Sequence, residues 1–163
     1  MSSITLVPSV FHGGGQAGDF LWMLDQDDWD SALFIYNDNL GQSTAYLDQV
    51  DAGAVDPASV ACQAGGGNGA IRPYQCRTPP RAAGVPTGPG WTALDGAPKA
   101  AIDRALAHVR ALLETGRYDR VVYSAMSASE PGVLGAKIFS PPREVLTYVP
   151  AELARIVAEV NAG

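Results

Sequence analysis

APKAAIDRALAHVRALLETGRYDRVVYSA, residues 97–125, holds a helix, a tight turn and a strand in succession. Ile102, Ala105, Leu106, Val109, Leu112 and Leu113 recur at three-four spacing, which places them on one buried stripe of a helix over about 97–115. Asp95 is its candidate N-cap, Pro98 is tolerated in the first turn, and Gly116 ends it. His108 falls off the stripe and is expected to face solvent. Arg120-Val121-Val122-Tyr123-Ser124-Ala125 then reads as a buried strand. A helix feeding such a strand is half of a βαβ unit, so the sheet is expected to be parallel.

Upstream, Ser31-Ala32-Leu33-Phe34-Ile35-Tyr36 is a second apolar strand, and it ends in Asn37-Asp38-Asn39. Ile4–Val7 reads as a first short strand closed by Pro8. Asp19 to Asp30 mixes apolar and acidic residues and fits either a short strand or an amphipathic helical turn, with Trp22 and Trp29 as core anchors. Residues 41–61 read as a loop with at most one helical turn. Residues 77–90 carry four prolines and three glycines, which argues against a long regular element. Past Ala125, Met126 to Lys137 reads as a small-residue loop. Ser140-Pro141-Pro142 is read as the cap and first turn of a helix that Val149-Pro150 interrupts before Ala151–Val160.

The other signal is glycine. Cys62-Gln63-Ala64-Gly65-Gly66-Gly67-Asn68-Gly69-Ala70-Ile71-Arg72 leaves little side-chain bulk, so its N–H groups can converge on an anion, and Ala70–Arg72 can open a helical turn. Such a run is equally read as a plain surface loop. A strand that stops in polar groups facing a glycine loop is how α/β proteins build ligand sites. Arg72, Arg77 and Arg81 cluster here, either pairing with acids or walling a phosphate site. A second cluster, His12-Gly13-Gly14-Gly15, resembles the oxyanion loop of α/β-hydrolases, but no Gly-x-Ser-x-Gly elbow accompanies it. The bland reading is a loop that approaches another backbone closely.

The 163 residues fit one domain, residues 1–163, with 47% hydrophobic and 17% charged side chains. A net charge of −6 disfavours duplex nucleic acid and anionic membrane as partners. No apolar run reaches the roughly 18 residues of a membrane span, and the N-terminus lacks a basic signal region, so the chain is read as cytoplasmic. Cys62 and Cys76 flank the glycine loop. A disulfide closing it is conceivable, although a cytoplasmic setting favours reduced thiols. Neither these cysteines nor His12 and His108 make a metal pattern, and no cofactor is expected.

Two loops at strand ends, in this order, are similar to the macro domain family. Leu33–Asn39 stands where macro domains have a strand ending in an Asn-rich signature. Gly65-Gly66-Gly67-Asn68-Gly69-Ala70-Ile71 stands for their glycine run at a helix start, and Gly135-Ala136-Lys137-Ile138-Phe139 for their late diphosphate loop. Asn68 replaces an apolar residue and Lys137 a glycine. For the acid that contacts adenine in many members, Asp25, Asp27 and Asp28 are in range. The resemblance implies a three-layer α/β domain with a mixed, largely parallel sheet flanked by helices, and binding of ADP-ribose or a related NAD-derived nucleotide. Amides of Gly65, Gly66, Gly67 and Gly135 would hold diphosphate and ribose, Phe139 would pack on a sugar, and Asn37 or Asn39 would bind the distal ribose.

The full candidate set is Asn37, Asn39, Gly65, Gly66, Gly67, Asn68, Ile71, Arg72, Ser124, Gly135, Ala136, Lys137, Ile138 and Phe139. Asp38 is the candidate catalytic residue if an ADP-ribosyl bond is hydrolysed, orienting water; otherwise it closes a strand as a turn residue. A sensor or sponge without catalysis is the second class. A hydrolase-like enzyme using His12 with Ser124 or Ser127, and a protein that binds a partner through its long loops, are the others.

Overall fold

The structure is a computed structural model that describes residues 3–136 and 138–163. Four strands run parallel: β1 (Thr5–Ser9), β2 (Ala32–Asp38), β3 (Ala82–Pro86) and β4 (Arg120–Ser127). Their order is β1-β4-β2-β3, and β5 (Glu130–Leu134) pairs antiparallel with the far end of β4. The result is a single α/β domain with a five-stranded, mostly parallel sheet.

The pleat explains why β2 is a continuous apolar run. Leu33 and Ile35 point to a core built with α2 (Leu40–Asp51), α3 (Gly96–Glu114) and α4 (Arg143–Ala162). Phe34 and Tyr36 point the other way, onto Phe20, Met23 and Leu24 of α1 (Phe20–Leu24) and onto Ile71. Burial on both faces removes the usual polar alternation. The chain moves outward from β2 to β3, then returns through α3 to β4 on the other side of β2. The carboxyl ends of β2 and β4 therefore flank the point where the winding reverses.

Several elements differ from their sequence reading. Residues 41–61 hold a full helix, α2, because Asn39 caps it, its Oδ1 accepting from Gln42 N–H at 2.8 Å, and Ser43, Tyr46 and Leu47 bury one face. The proline-rich stretch contains β3, an edge strand where Pro86 removes no needed donor. Within the stretch read as a loop, residues 126–134 fold back as the β4–β5 hairpin, burying Val133 and Leu134. Of the two readings open for Asp19 to Asp30, the structure has the helical one, as α1 and a 3-10 turn (Asp27–Trp29). Pro142, not Ser140, is the N-cap of α4, and that helix runs unbroken through Pro150. Its buried residues Val145, Leu146, Val149, Pro150, Leu153 and Ile156 continue one stripe across the proline. Burial of that stripe offsets the roughly 3 kcal/mol that an interior proline costs. Asp95 holds the N-cap position of α3 without a side-chain cap bond. Among the described residues no helix is long and apolar enough to cross a membrane.

His108 is half-buried rather than solvent-facing. Tyr46 Oη donates to the Gln75 carbonyl at 3.0 Å and lies 3.2 Å from His108 Nε2. With the phenol proton committed, the ring donates from Nε2, which assigns the tautomer. Burial holds the His108 pKa below the usual 6.5, against a smaller opposing pull from Asp51. The unfolded chain thus takes up a proton at higher pH than the folded one. Stability is full above about pH 6.5 and falls as pH drops through the lowered folded value. Urea midpoints measured from pH 8 to pH 5 are expected to show this slope, and His108→Gln is expected to flatten it.

Candidate functional site

The carboxyl ends of all four parallel strands open into one cleft of about 600 Å³. Val10 follows β1, Asn37–Asn39 end β2, Thr87 follows β3, and Ser124–Met126 lie at the end of β4. The glycine run Gly65–Gly69 with Ala70, Ile71 and Arg72 forms one wall, and Gly135, Ala136, Ile138 and Phe139 form another. Every residue of the sequence-based candidate set among the described residues lines this cleft; Lys137 lies outside the described residues.

The glycine wall is built around a buried cation. Arg72 sits in the 3-10 segment Gly67–Cys76 and is only 4% exposed. Its Nη1 donates to the Gln63 carbonyl at 2.9 Å and its Nη2 to Asp38 Oδ1 at 2.7 Å. The backbone wraps this guanidinium closely. A Cβ on Gly65 would lie 2.7 Å from Arg72 Nη1, and one on Gly69 would lie 2.9 Å from Nη2. Glycine at these two positions is therefore a packing requirement. Gly65 N–H donates to the Gly69 carbonyl and Gly69 N–H to the Gly66 carbonyl. The N–H groups of Gly66, Gly67 and Asn68 precede this first helical bond and have no carbonyl acceptor among the described residues. Three such donors at a helix start are the kind of group that binds an anion.

Asp38 is 1% exposed and fully engaged. Its Oδ1 accepts from Arg72 and from Asn39 N–H at 2.8 Å, and its Oδ2 accepts from Tyr36 Oη at 3.2 Å. Burial, and then the Asp38 charge, push the Tyr36 phenol well above its ordinary pKa, so it remains a donor. The buried pair also dictates a glycine on β3, since a Cβ at Gly84 would come within 2.8 Å of Asp38 Oδ2 and 2.9 Å of Tyr36 Oη.

Asn37 and Gly135 join the two walls. Asn37 Nδ2 donates to the Gly135 carbonyl at 3.3 Å, and Gly135 N–H donates to the Ser124 carbonyl at 2.8 Å. A Cβ on Gly135 would meet Ala125 O and Ser124 Oγ at 2.9 Å, so the chain can cross β4 here only as glycine. Ile138, 70% exposed, lies against the glycine wall, where its Cδ1 would be 2.7 Å from a Cβ on Gly67. Phe139 is half-buried against Gly88.

The third side of the cleft lies outside the candidate set: the β1–α1 loop, singled out in sequence only at His12–Gly15, contributes Phe11, Gly18 and Asp19, and the start of α1 contributes Phe20 and Leu21. The strand-end rule that found β2 and β4, applied to β1, points to it. The bland reading of this loop is met at Gly18 (φ +99), where a Cβ would overlap the Val10 carbonyl. Asp19 caps α1 and accepts from Leu21 N–H at 3.2 Å and Gly15 N–H at 2.8 Å. It is the acid at this wall; Asp25, Asp27 and Asp28 do not line the cleft. Of the three clustered arginines only Arg72 reaches the site: Arg77 stacks on Tyr74 and Arg81 donates to the Trp29 carbonyl at 2.7 Å. Ser124 lines the cleft, whereas His12 and Ser127 do not, so the cleft does not bring His12 together with either serine. Trp22 and Trp29 pack half-buried against the core.

The expectation of reduced thiols is corrected. Cys62 and Cys76 form a disulfide with Cα atoms 6.0 Å apart, closing the segment that carries the glycine wall. Among the described residues no cluster of His, Cys, Asp or Glu suits a metal ion. No family model, curated protein or solved structure matches the chain. The reading of the site rests on its own geometry.

Proposed function

We propose that this chain is a cytoplasmic, divergent relative of macro domains that binds ADP-ribose or a related NAD-derived nucleotide in the strand-end cleft. One observation carries the reading: two segments far apart in sequence, the glycine run Gly65–Gly69 and the residues Gly135, Ala136, Ile138 and Phe139, line one cleft at the ends of β2 and β4. The cleft volume of about 600 Å³ lies within the roughly 300–1,000 Å³ of small-molecule sites. The free N–H groups of Gly66, Gly67 and Asn68 suit a phosphate. Such binding by neutral amides is compatible with an acidic protein, because Arg72, the only cation lining the cleft among the described residues, is already neutralised by Asp38.

The same geometry favours a binder over a hydrolase. Asp38, the carboxylate offered for orienting water, has both oxygens occupied and a side chain at 0% exposure. Its role in this reading is to hold Arg72 and, through it, the glycine wall.

Calorimetric titration tests the proposal. ADP-ribose is expected to bind with micromolar affinity and to outcompete AMP, NAD and ribose 5-phosphate. Absence of heat with all four, under conditions where the protein is folded, would remove the nucleotide reading.

A further inference from the structure

The Cys62–Cys76 bond spans the segment that forms one wall of the cleft, and its two cysteines differ in exposure. Cys62 is 5% exposed. Cys76 is half-buried and lines a second, separate groove of about 440 Å³, together with Tyr46, Gln75, Arg77, Pro80 and His108. Cys76 is therefore the cysteine that borders a groove separate from the nucleotide cleft.

We propose that the Cys62–Cys76 disulfide is a redox switch on the cleft, read from the second groove by a dithiol and controlling the order of the glycine wall. Its effect on nucleotide affinity rests on the function proposed above; its effect on the wall does not.

The chemistry balances with one dithiol. A thiolate of the dithiol bonds to Cys76 Sγ, the Cys62–Cys76 bond breaks, and Cys62 leaves as thiolate and takes a proton. The second thiol of the reductant then displaces Cys76 in the same way. Two electrons and two protons pass to the protein, and the reductant becomes a disulfide. Cys62 has a place for its new proton, since its Sγ lies 3.3 Å from the Asp56 carbonyl and 3.9 Å from Ser59 Oγ.

Reduction is not expected to unfold the segment. Its C-terminal half stays anchored by buried Ile71, by Tyr46 Oη to the Gln75 carbonyl at 3.0 Å, and by Gln75 Nε2 to the Ala61 carbonyl at 2.8 Å. The stretch from Gln63 to Gly67 is held chiefly by main-chain bonds of Gln63 N–H to the Val60 carbonyl, Gly65 N–H to the Gly69 carbonyl and Gly69 N–H to the Gly66 carbonyl, and by Arg72 on the Gln63 carbonyl, and it buries no apolar side chain. Opening the cross-link restores chain freedom to that stretch first. Ordering it again then opposes ligand binding, and by linkage a bound ligand resists reduction.

Hydrogen exchange without ligand tests the switch directly. Amides of residues 63–69 are expected to exchange about tenfold faster in dithiothreitol-reduced protein than in oxidised protein, with α3 and α4 unchanged. The Cys62→Ser/Cys76→Ser double variant is expected to match the reduced wild type, so each form checks the other. Equal exchange in all three would overturn the proposal. Brief exposure of oxidised protein to glutathione is expected to place the mixed disulfide on Cys76, and an adduct on Cys62 would overturn the route. If ADP-ribose binds, reduction is expected to weaken it at least about fivefold, the lower end of usual coupling between sites. Faster exchange with no nucleotide binding in either redox form leaves the switch standing and removes only the nucleotide reading.

Discussion

Asp38→Asn is expected to lower the stability of the protein by about 3 kcal/mol or more, and its melting temperature by about 6–12 °C. The substitution keeps shape and an acceptor oxygen but removes the charge opposite Arg72, whose side chain is 5% exposed. A buried guanidinium without a counter-charge carries its desolvation cost unrelieved, and this term outweighs the loss of any one hydrogen bond. The glycine wall transmits the damage, because Gly65 and Gly69 pack directly on that guanidinium. Adding Arg72→Met removes the stranded charge, so the double variant is expected to recover part of the loss in urea unfolding. A change within about 0.5 kcal/mol for Asp38→Asn, the range of an ordinary surface substitution, would show that the pair does not organise the site.

Gly66→Glu gives the opposite pattern, a folded protein that no longer binds. Gly66 has φ −77, which any residue adopts, and a Cβ there meets nothing within 4 Å. Stability is expected to stay within about 0.5 kcal/mol of wild type. A carboxylate beside the Gly66–Asn68 N–H groups repels the anion they would hold. ADP-ribose affinity is expected to fall at least about 100-fold. Gly65→Ala supplies the contrast one residue away: its Cβ would press on Arg72 Nη1 at 2.7 Å, and it is expected to cost about 1–3 kcal/mol of stability. Unchanged affinity in a stable Gly66→Glu variant would place the anion elsewhere.

The parallel α/β character is legible in 31–36 and 97–125 because a strand buried on both faces cannot hide its apolar run, and a helix against a sheet must show its stripe. The cleft is legible because glycines cluster where strands end. The elements that escape are those whose identity depends on distant partners. α2 buries only Ser43, Tyr46 and Leu47 in a polar sequence, with Gly41 in its first turn. β3 is Ala-Ala-Gly-Val-Pro, and Gly84 is there to admit Tyr36 and Asp38, which no local pattern reveals. Pro150 reads as a break because propensity is local, whereas the burial that carries α4 through it is tertiary. The Asp38–Arg72 pair joins residues 34 apart. It turns a nominal catalytic acid and a nominal phosphate ligand into one structural unit.

Chemical-shift mapping of the isotope-labelled protein with ADP-ribose tests the central claim most directly. Saturable shifts concentrated at the amides of Gly66, Gly67, Asn68 and Gly135, with α3 and α4 silent, are the result this structure leads us to expect. Shifts confined to the second groove, or scattered over the surface without saturation, would contradict it.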